Sequence, residues 1–99
     1  MWILRSSGDT DGVTFRLTPG AVKTLGRATR ADFILDAALV SRLHCRFTVR
    51  KSGELEVEDL TSTNGTYVND RRIRKAPLAP GDLVRIGRVQ LAVERRADN

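Results

Sequence analysis

Arg27, Ser41 and the run Thr61-Ser62-Thr63-Asn64-Gly65-Thr66 are the residues of this chain best suited to chemistry. They supply a guanidinium, a hydroxyl and a set of hydroxyl and amide donors from three separate segments. Brought together, such groups make a clamp for an anion. A planar guanidinium fork plus a hydroxyl satisfies several oxygens of one phosphate through charge-assisted hydrogen bonds, worth roughly 1.5–3 kcal/mol each. The set suits a phosphate carried on a peptide better than any bond-breaking step. Each piece alone has an ordinary reading. An arginine after a strand is usually solvated, a serine before a strand caps a turn, and Asn-Gly is a favoured hairpin turn. A hairpin turn does not explain the three hydroxyls that lead into Asn64-Gly65.

Catalysis finds little support. His44 and Cys45 are adjacent, but adjacent side chains on a strand point to opposite faces and cannot pair as base and nucleophile. Cys45 belongs with Phe47 and Val49 on a core face. Glu54, Glu56 and Glu58 share a solvent face, where their mutual repulsion is tolerable. The chain has one histidine and one cysteine, too few for a zinc cluster, and no phosphate-binding P-loop. No metal, no cofactor and no enzymatic activity are expected.

The elements that must position the clamp are strands. Val13, Phe15 and Leu17 alternate with polar residues, as do Cys45, Phe47 and Val49, then Leu55 and Val57, then Val89, Leu91 and Val93. This period of two marks half-buried strands. Shorter candidates are Trp2–Arg5, Val22–Leu25, Phe33–Leu35, Thr66–Val68, Arg72–Ile73 and Leu83–Ile86. Turn residues separate them at Ser7-Gly8-Asp9, Pro19-Gly20, Lys51-Ser52-Gly53, Asn64-Gly65, Asn69-Asp70 and Pro80-Gly81-Asp82. Lys51-Ser52-Gly53 joins two strongly alternating runs, so Cys45–Arg50 and Glu54–Asp59 are expected to form an antiparallel hairpin. No amphipathic helix is evident. The pattern predicts an all-β antiparallel sandwich.

With 99 residues the chain has the size of one domain, with a core over about 2–94 and a C-terminal tail at 95–99. No apolar run reaches the ~18 residues of a membrane span. The opening Met1-Trp2-Ile3-Leu4-Arg5 is too short for a secretory signal and reads as a first strand. A lone cysteine points to a reducing, intracellular setting. A net charge of +5 predicts acidic partners. Nucleic acid is the weaker candidate among them, because no aromatic residue interleaves the basic cluster Arg71-Arg72-Ile73-Arg74-Lys75.

The order and spacing of Gly26-Arg27, Ser41-Arg42-Leu43-His44 and Asp59-Leu60-Thr61-Ser62-Thr63-Asn64-Gly65-Thr66-Tyr67-Val68-Asn69 resemble the forkhead-associated (FHA) family. Pro80-Gly81-Asp82 and Val84-Arg85-Ile86-Gly87 fit it as well, so the likeness covers essentially the whole chain. It implies a sandwich of about eleven short strands whose loops at one end bind phosphothreonine peptides. On that resemblance Arg27 and Ser41 hold the phosphate oxygens, and Arg42 adds a second positive or backbone contact. Thr63 orders the phosphothreonine pocket and Asn64 bonds the peptide backbone. Gly26, His44 and Gly65 brace the loops without touching ligand.

The implied partners are threonine-phosphorylated protein segments with acidic flanks, met by a chain that is part of a larger protein or complex. A sandwich starting at Met1-Trp2 also resembles the N-terminal FHA domains of nibrin-like repair proteins. That finer resemblance implies a nuclear role in the DNA damage response. The alternative is a bacterial, cytoplasmic FHA protein acting with Ser/Thr kinases.

Overall fold

The structure, a computed structural model, describes residues 1–97. Its strands are β1 (Trp2–Gly8), β2 (Thr14–Leu17), β3 (Val22–Gly26), β4 (Phe33–Ile34), β5 (Cys45–Val49), β6 (Leu55–Asp59), β7 (Thr66–Val68), β8 (Arg71–Ile73), β9 (Lys75–Leu78), β10 (Leu83–Ile86) and β11 (Val89–Arg95). They form two sheets, one in the order β2-β1-β11-β10-β7-β8 and one in the order β4-β3-β5-β6-β9. The expected all-β sandwich is observed, without a helix among the described residues.

The core follows from the period of two. Cys45, Phe47 and Val49 of β5 are buried while Arg46 and Thr48 are not. Leu55, Val57, Val84, Ile86, Leu91 and Val93 complete the facing layers. The expected β5–β6 hairpin is present, pairing Phe47 with Val57 and Val49 with Leu55. On its outer face two of the three glutamates, Glu56 and Glu58, have basic partners. Arg46 pairs with Glu58, while Arg50 at 3.3 Å and Lys75 at 3.8 Å share Glu56. These half-exposed pairs mainly cancel repulsion along the acidic ladder.

One strand escapes the sequence pattern. β9 contains Pro77, which reads as a break, yet β9 pairs with β6 along Leu55↔Leu78 and Val57↔Ala76. It is tolerated because β9 is an edge strand, where a missing N–H costs no ladder bond. β11 is also longer than expected: Arg95, assigned to a tail, pairs with Trp2. The rest of that tail includes residues 98 and 99, which lie outside the described residues. Asn69 and Asp70 form the β7–β8 turn with φ of 49° and 68°, as a two-residue hairpin turn requires.

The registers place three loops at one end of the sandwich: Arg27–Asp32 after β3, the segment 35–44 before β5, and 60–65 between β6 and β7. The first is short for the parallel pair it joins, β3 with β4. Asp32 closes it, its Oδ2 accepting from Thr24 N–H at 2.9 Å and from Thr24 Oγ1 at 3.1 Å. Those bonds hold the exposed Asp32 carboxyl below its ordinary range.

Candidate functional site

Gly26 brings the first two loops into contact. A Cβ there would lie 2.0 Å from the Arg42 carbonyl oxygen, so only glycine admits the approach. The contact continues as a short ladder in which Arg27 N–H donates to Ser41 O and Ala28 N–H to Arg42 O, both at 3.0 Å. Arg27 and Ser41, 14 positions apart in sequence, are thereby neighbours. The Arg27 side chain is steered by its Nε–H, which donates to Val40 O at 3.1 Å. Its terminal amino groups have no protein partner among the described residues.

Ser41 is also tied to the third loop. Thr63 N–H donates to Ser41 Oγ at 3.0 Å. The serine oxygen is thus used as an acceptor, and its proton stays available for an incoming oxygen. Asn64 Nδ2 donates to Leu39 O at 3.1 Å, so one amide hydrogen expected to serve a peptide joins two loops instead. The Asn64 carbonyl oxygen and second amide hydrogen remain.

Beneath these residues His44 is a fully buried strut. Ser41 N–H donates to its Nδ1 at 3.0 Å, and its Nε2 meets Gly65 O at 2.8 Å. Because Nδ1 accepts, the single ring proton sits on Nε2 and is donated to Gly65. The His44 backbone joins the sheet end too, donating to Leu25 O and accepting from Leu60 N–H. The His44 side chain therefore links the second and third loops, and its backbone ties them to the end of β3, without the ring facing the cleft. Burial lowers its pKa, against the opposing pull of the Gly65 carbonyl and the Asp59 charge. Gly65 adopts φ of 88°, a left-handed conformation that suits glycine.

Asp59 was not singled out by the sequence reading, and it explains the hydroxyl run. Its Oδ1 accepts from Ser62 Oγ at 2.5 Å and Thr66 Oγ1 at 2.7 Å, and its Oδ2 from Ser62 N–H at 3.1 Å. Ser62 Oγ in turn accepts from Gly65 N–H at 2.9 Å. Burial would raise the Asp59 carboxyl, but the Ser62 and Thr66 bonds, with His44, hold it below its ordinary value. Ser62 and Thr66 are thus structural. The available signal was an aspartate followed at three and seven positions by hydroxyls. Thr61, between Asp59 and Ser62, has φ of 56°, an outlying conformation for a β-branched residue that the surrounding bonds impose.

Arg27, Ser41, Thr63 and Asn64 line one cleft of about 530 Å³, together with Asp36, Ala37, Ala38, Leu39 and Val40. Leu39 stands exposed on its rim with φ of 68°. Arg42 does not line this cleft. It faces an adjoining hollow with Arg27, Ala28, Thr29 and Arg30. Cys45 lies apart in the core, and burial pushes its thiol far above the reactive range. Trp2, Phe15 and Phe47 are buried, the half-buried Phe33 is stacked on Phe15 with ring centroids 4.4 Å apart, and Arg85 covers a face of Tyr67 at 4.1 Å. That arrangement leaves no aromatic platform on which bases could stack.

A family model described as the FHA domain matches residues 23–87. The glycogen accumulation regulator GarA of Mycolicibacterium smegmatis is 46% identical over 66 residues, covering 67% of this chain and 41% of GarA. The ABC transporter ATP-binding/permease protein Rv1747 of Mycobacterium tuberculosis is 39% identical over 92 residues, covering 88% of this chain but 10% of that protein. The chain therefore spans less than half the length of either relative. A solved domain studied for phosphothreonine-dependent FHA domain interactions superposes with a TM-score of 0.86 at 32% identity, covering 97% of both chains. The two relatives are mycobacterial, and the expected likeness to nibrin-like repair domains, with its nuclear role, gains no support from them. The chain belongs to the FHA domain family, whose members bind phosphothreonine peptides.

Proposed function

We propose that the cleft between Arg27 and Asn64 is where this domain grips phosphothreonine. Arg27 and the Ser41 hydroxyl hold the phosphate oxygens. Thr63 walls the pocket for the threonine methyl, and Asn64 offers its free carbonyl oxygen and amide hydrogen to the peptide backbone. Arg42 adds positive charge from the far side of Arg27. The observation that carries this reading is the bonding of Ser41. Its oxygen accepts from Thr63 N–H while Arg27 stands beside it with free amino groups, so a hydroxyl proton and a guanidinium fork converge on one cleft.

The domain recruits threonine-phosphorylated segments, preferring acidic residues around the phosphate. Its similarity to mycobacterial GarA supports a role in bacterial signalling through Ser/Thr kinases, in the cytoplasm. The test is calorimetry with a phosphothreonine peptide library. Arg27→Ala is expected to weaken binding more than ~tenfold, the equivalent of losing one charge-assisted contact of ~1.5 kcal/mol. Unchanged binding by a folded Arg27→Ala protein would sink the assignment.

A further inference from the structure

The hollow beside the phosphothreonine cleft has its own chemistry. About 490 Å³ in volume, it is lined by Arg27, Ala28, Thr29, Arg30 and Arg42, three arginines and no carboxylate. Neither Arg30 nor Arg42 enters an ion pair or a side-chain hydrogen bond with another described residue. Arg5, Arg46 and Arg50 are by contrast paired with glutamates, and Arg85 lies over Tyr67. The exposed Arg16, Arg71, Arg72 and Arg74 are also without an ion pair among the described residues, but none of them lines this hollow. Like charges gathered in a concave site without counter-charge repel one another, and the arrangement is relieved when an anion enters.

Backbone geometry fixes these arginines rather than leaving them on a loose loop. The Ala28 N–H bond to Arg42 O ties the two sides of the hollow together. Asp32 closes the loop that carries Arg30. Arg27 is the shared wall, lining both the cleft and the hollow.

We propose that this hollow is a second phosphate subsite, so that the domain reads doubly phosphorylated segments. The inference rests on the phosphothreonine reading of the first cleft. A phosphate carries roughly −1.5 to −2 charges and three acceptor oxygens, enough to engage the forks of Arg30 and Arg42 together. A carboxylate offers two oxygens and a single charge, and satisfies one fork. The second group is therefore a phosphate on the same peptide, with glutamate or aspartate as a weaker substitute.

An extended peptide advances about 3.3–3.6 Å per residue, so spacings of about one to four residues span adjoining hollows. The experiment uses peptide libraries with one fixed phosphothreonine and, at each such spacing on either side, a second phosphothreonine, a glutamate or an unmodified threonine. Binding to the chain is followed by fluorescence anisotropy. At one spacing the doubly phosphorylated library is expected to bind roughly tenfold tighter than the singly phosphorylated one, with glutamate intermediate. Arg30→Ala should abolish that gain and leave singly phosphorylated binding within about twofold.

Equal affinity for singly and doubly phosphorylated libraries at every spacing overturns the second subsite, as does a gain that survives Arg30→Ala. Glutamate matching the second phosphate overturns it too, reducing the hollow to a general acidic rim. Failure of the wild-type chain to bind any phosphorylated library is a different result: it removes the first cleft as well.

Discussion

Ser41 and His44 sit three residues apart and divide the labour between contact and support. Ser41→Ala removes a hydroxyl at the exposed lip of the cleft; affinity is expected to fall while the Tm stays within about two degrees, because the Thr63 N–H it releases is reached by water. His44→Ala leaves Ser41 N–H and Gly65 O unpaired in a buried setting. It should cost ~2 kcal/mol or more and lower the Tm by roughly 10 °C, with affinity falling alongside. Thermal melts and titrations of the two variants check this division, and reversed behaviour refutes it. His44 also gives a pH signature. The folded state holds the ring neutral, with a pKa below its ordinary 6.5. As pH falls through 6.5, the unfolded chain takes up a proton that the folded chain refuses. Stability is therefore full above that value and declines below it, by at most ~1.4 kcal/mol per pH unit. The chain has one histidine, so urea melts of the peptide-free domain between pH 7 and 5 should lose this slope in His44→Gln. Asp59, held below 3.8, adds its own loss only in more acidic solution. At the same scale, the threonine methyl of a ligand is worth ~0.8 kcal/mol when buried. Matched phosphothreonine and phosphoserine peptides should thus differ about fourfold, and equal dissociation constants would refute a methyl pocket walled by Thr63 and Asn64.

At the scale of elements, the end of β3 is the part on which the cleft depends most. Gly26→Ala would force its Cβ into the Arg42 carbonyl and push apart the two backbones that make Arg27 and Ser41 neighbours. We expect it to destabilise the domain by ~1–3 kcal/mol and to weaken phosphopeptide binding beyond what Arg27→Ala does alone. A Gly26→Ala protein with native melting and binding would show that the approach is not needed. Much of this architecture was legible beforehand, since alternating residues such as Cys45-Arg46-Phe47-Thr48-Val49 declare both their strand and their inward face. Turn pairs such as Asn69-Asp70 declare their hairpins. What stayed hidden was decided by neighbours in space. β9 was obscured because proline in a strand is acceptable only at an edge, and the sequence does not say which strand is at an edge. The Asp59–Ser62–Thr66 brace was obscured because hydroxyls serve ligand and scaffold equally well. The resemblance gave Arg42 a second positive or backbone contact, and the ladder between Ala28 and Arg42 places it on the adjoining hollow that shares Arg27 with the cleft.

Over the whole molecule, a net charge of +5 and a sequence pI of about 10.3 set a long-range attraction for phosphorylated, acidic segments. Rim contacts are exposed and worth ~0.2–1 kcal/mol each, and salt screens them over about 8–10 Å. Replacing the acidic flanks of a bound peptide with alanine should weaken binding at low salt and matter much less at high salt. A flank swap without effect at low salt would show that the rim does not read acidity. The clefts lie where β3 ends and β5 begins. At the opposite end, β1 and β11 bring the first and last described strands side by side: Trp2 is paired with Arg95, and Arg96 N–H donates to Met1 O at 2.8 Å. Trp2 Nε1–H is anchored there to Gly53 O at 2.7 Å, with Arg95 over its ring. Entry and exit at one foot make the domain a plug-in part. A host chain can receive it in a surface loop by offering two nearby ends, and a tether fused to either end leaves the reading face pointing away from whatever holds it.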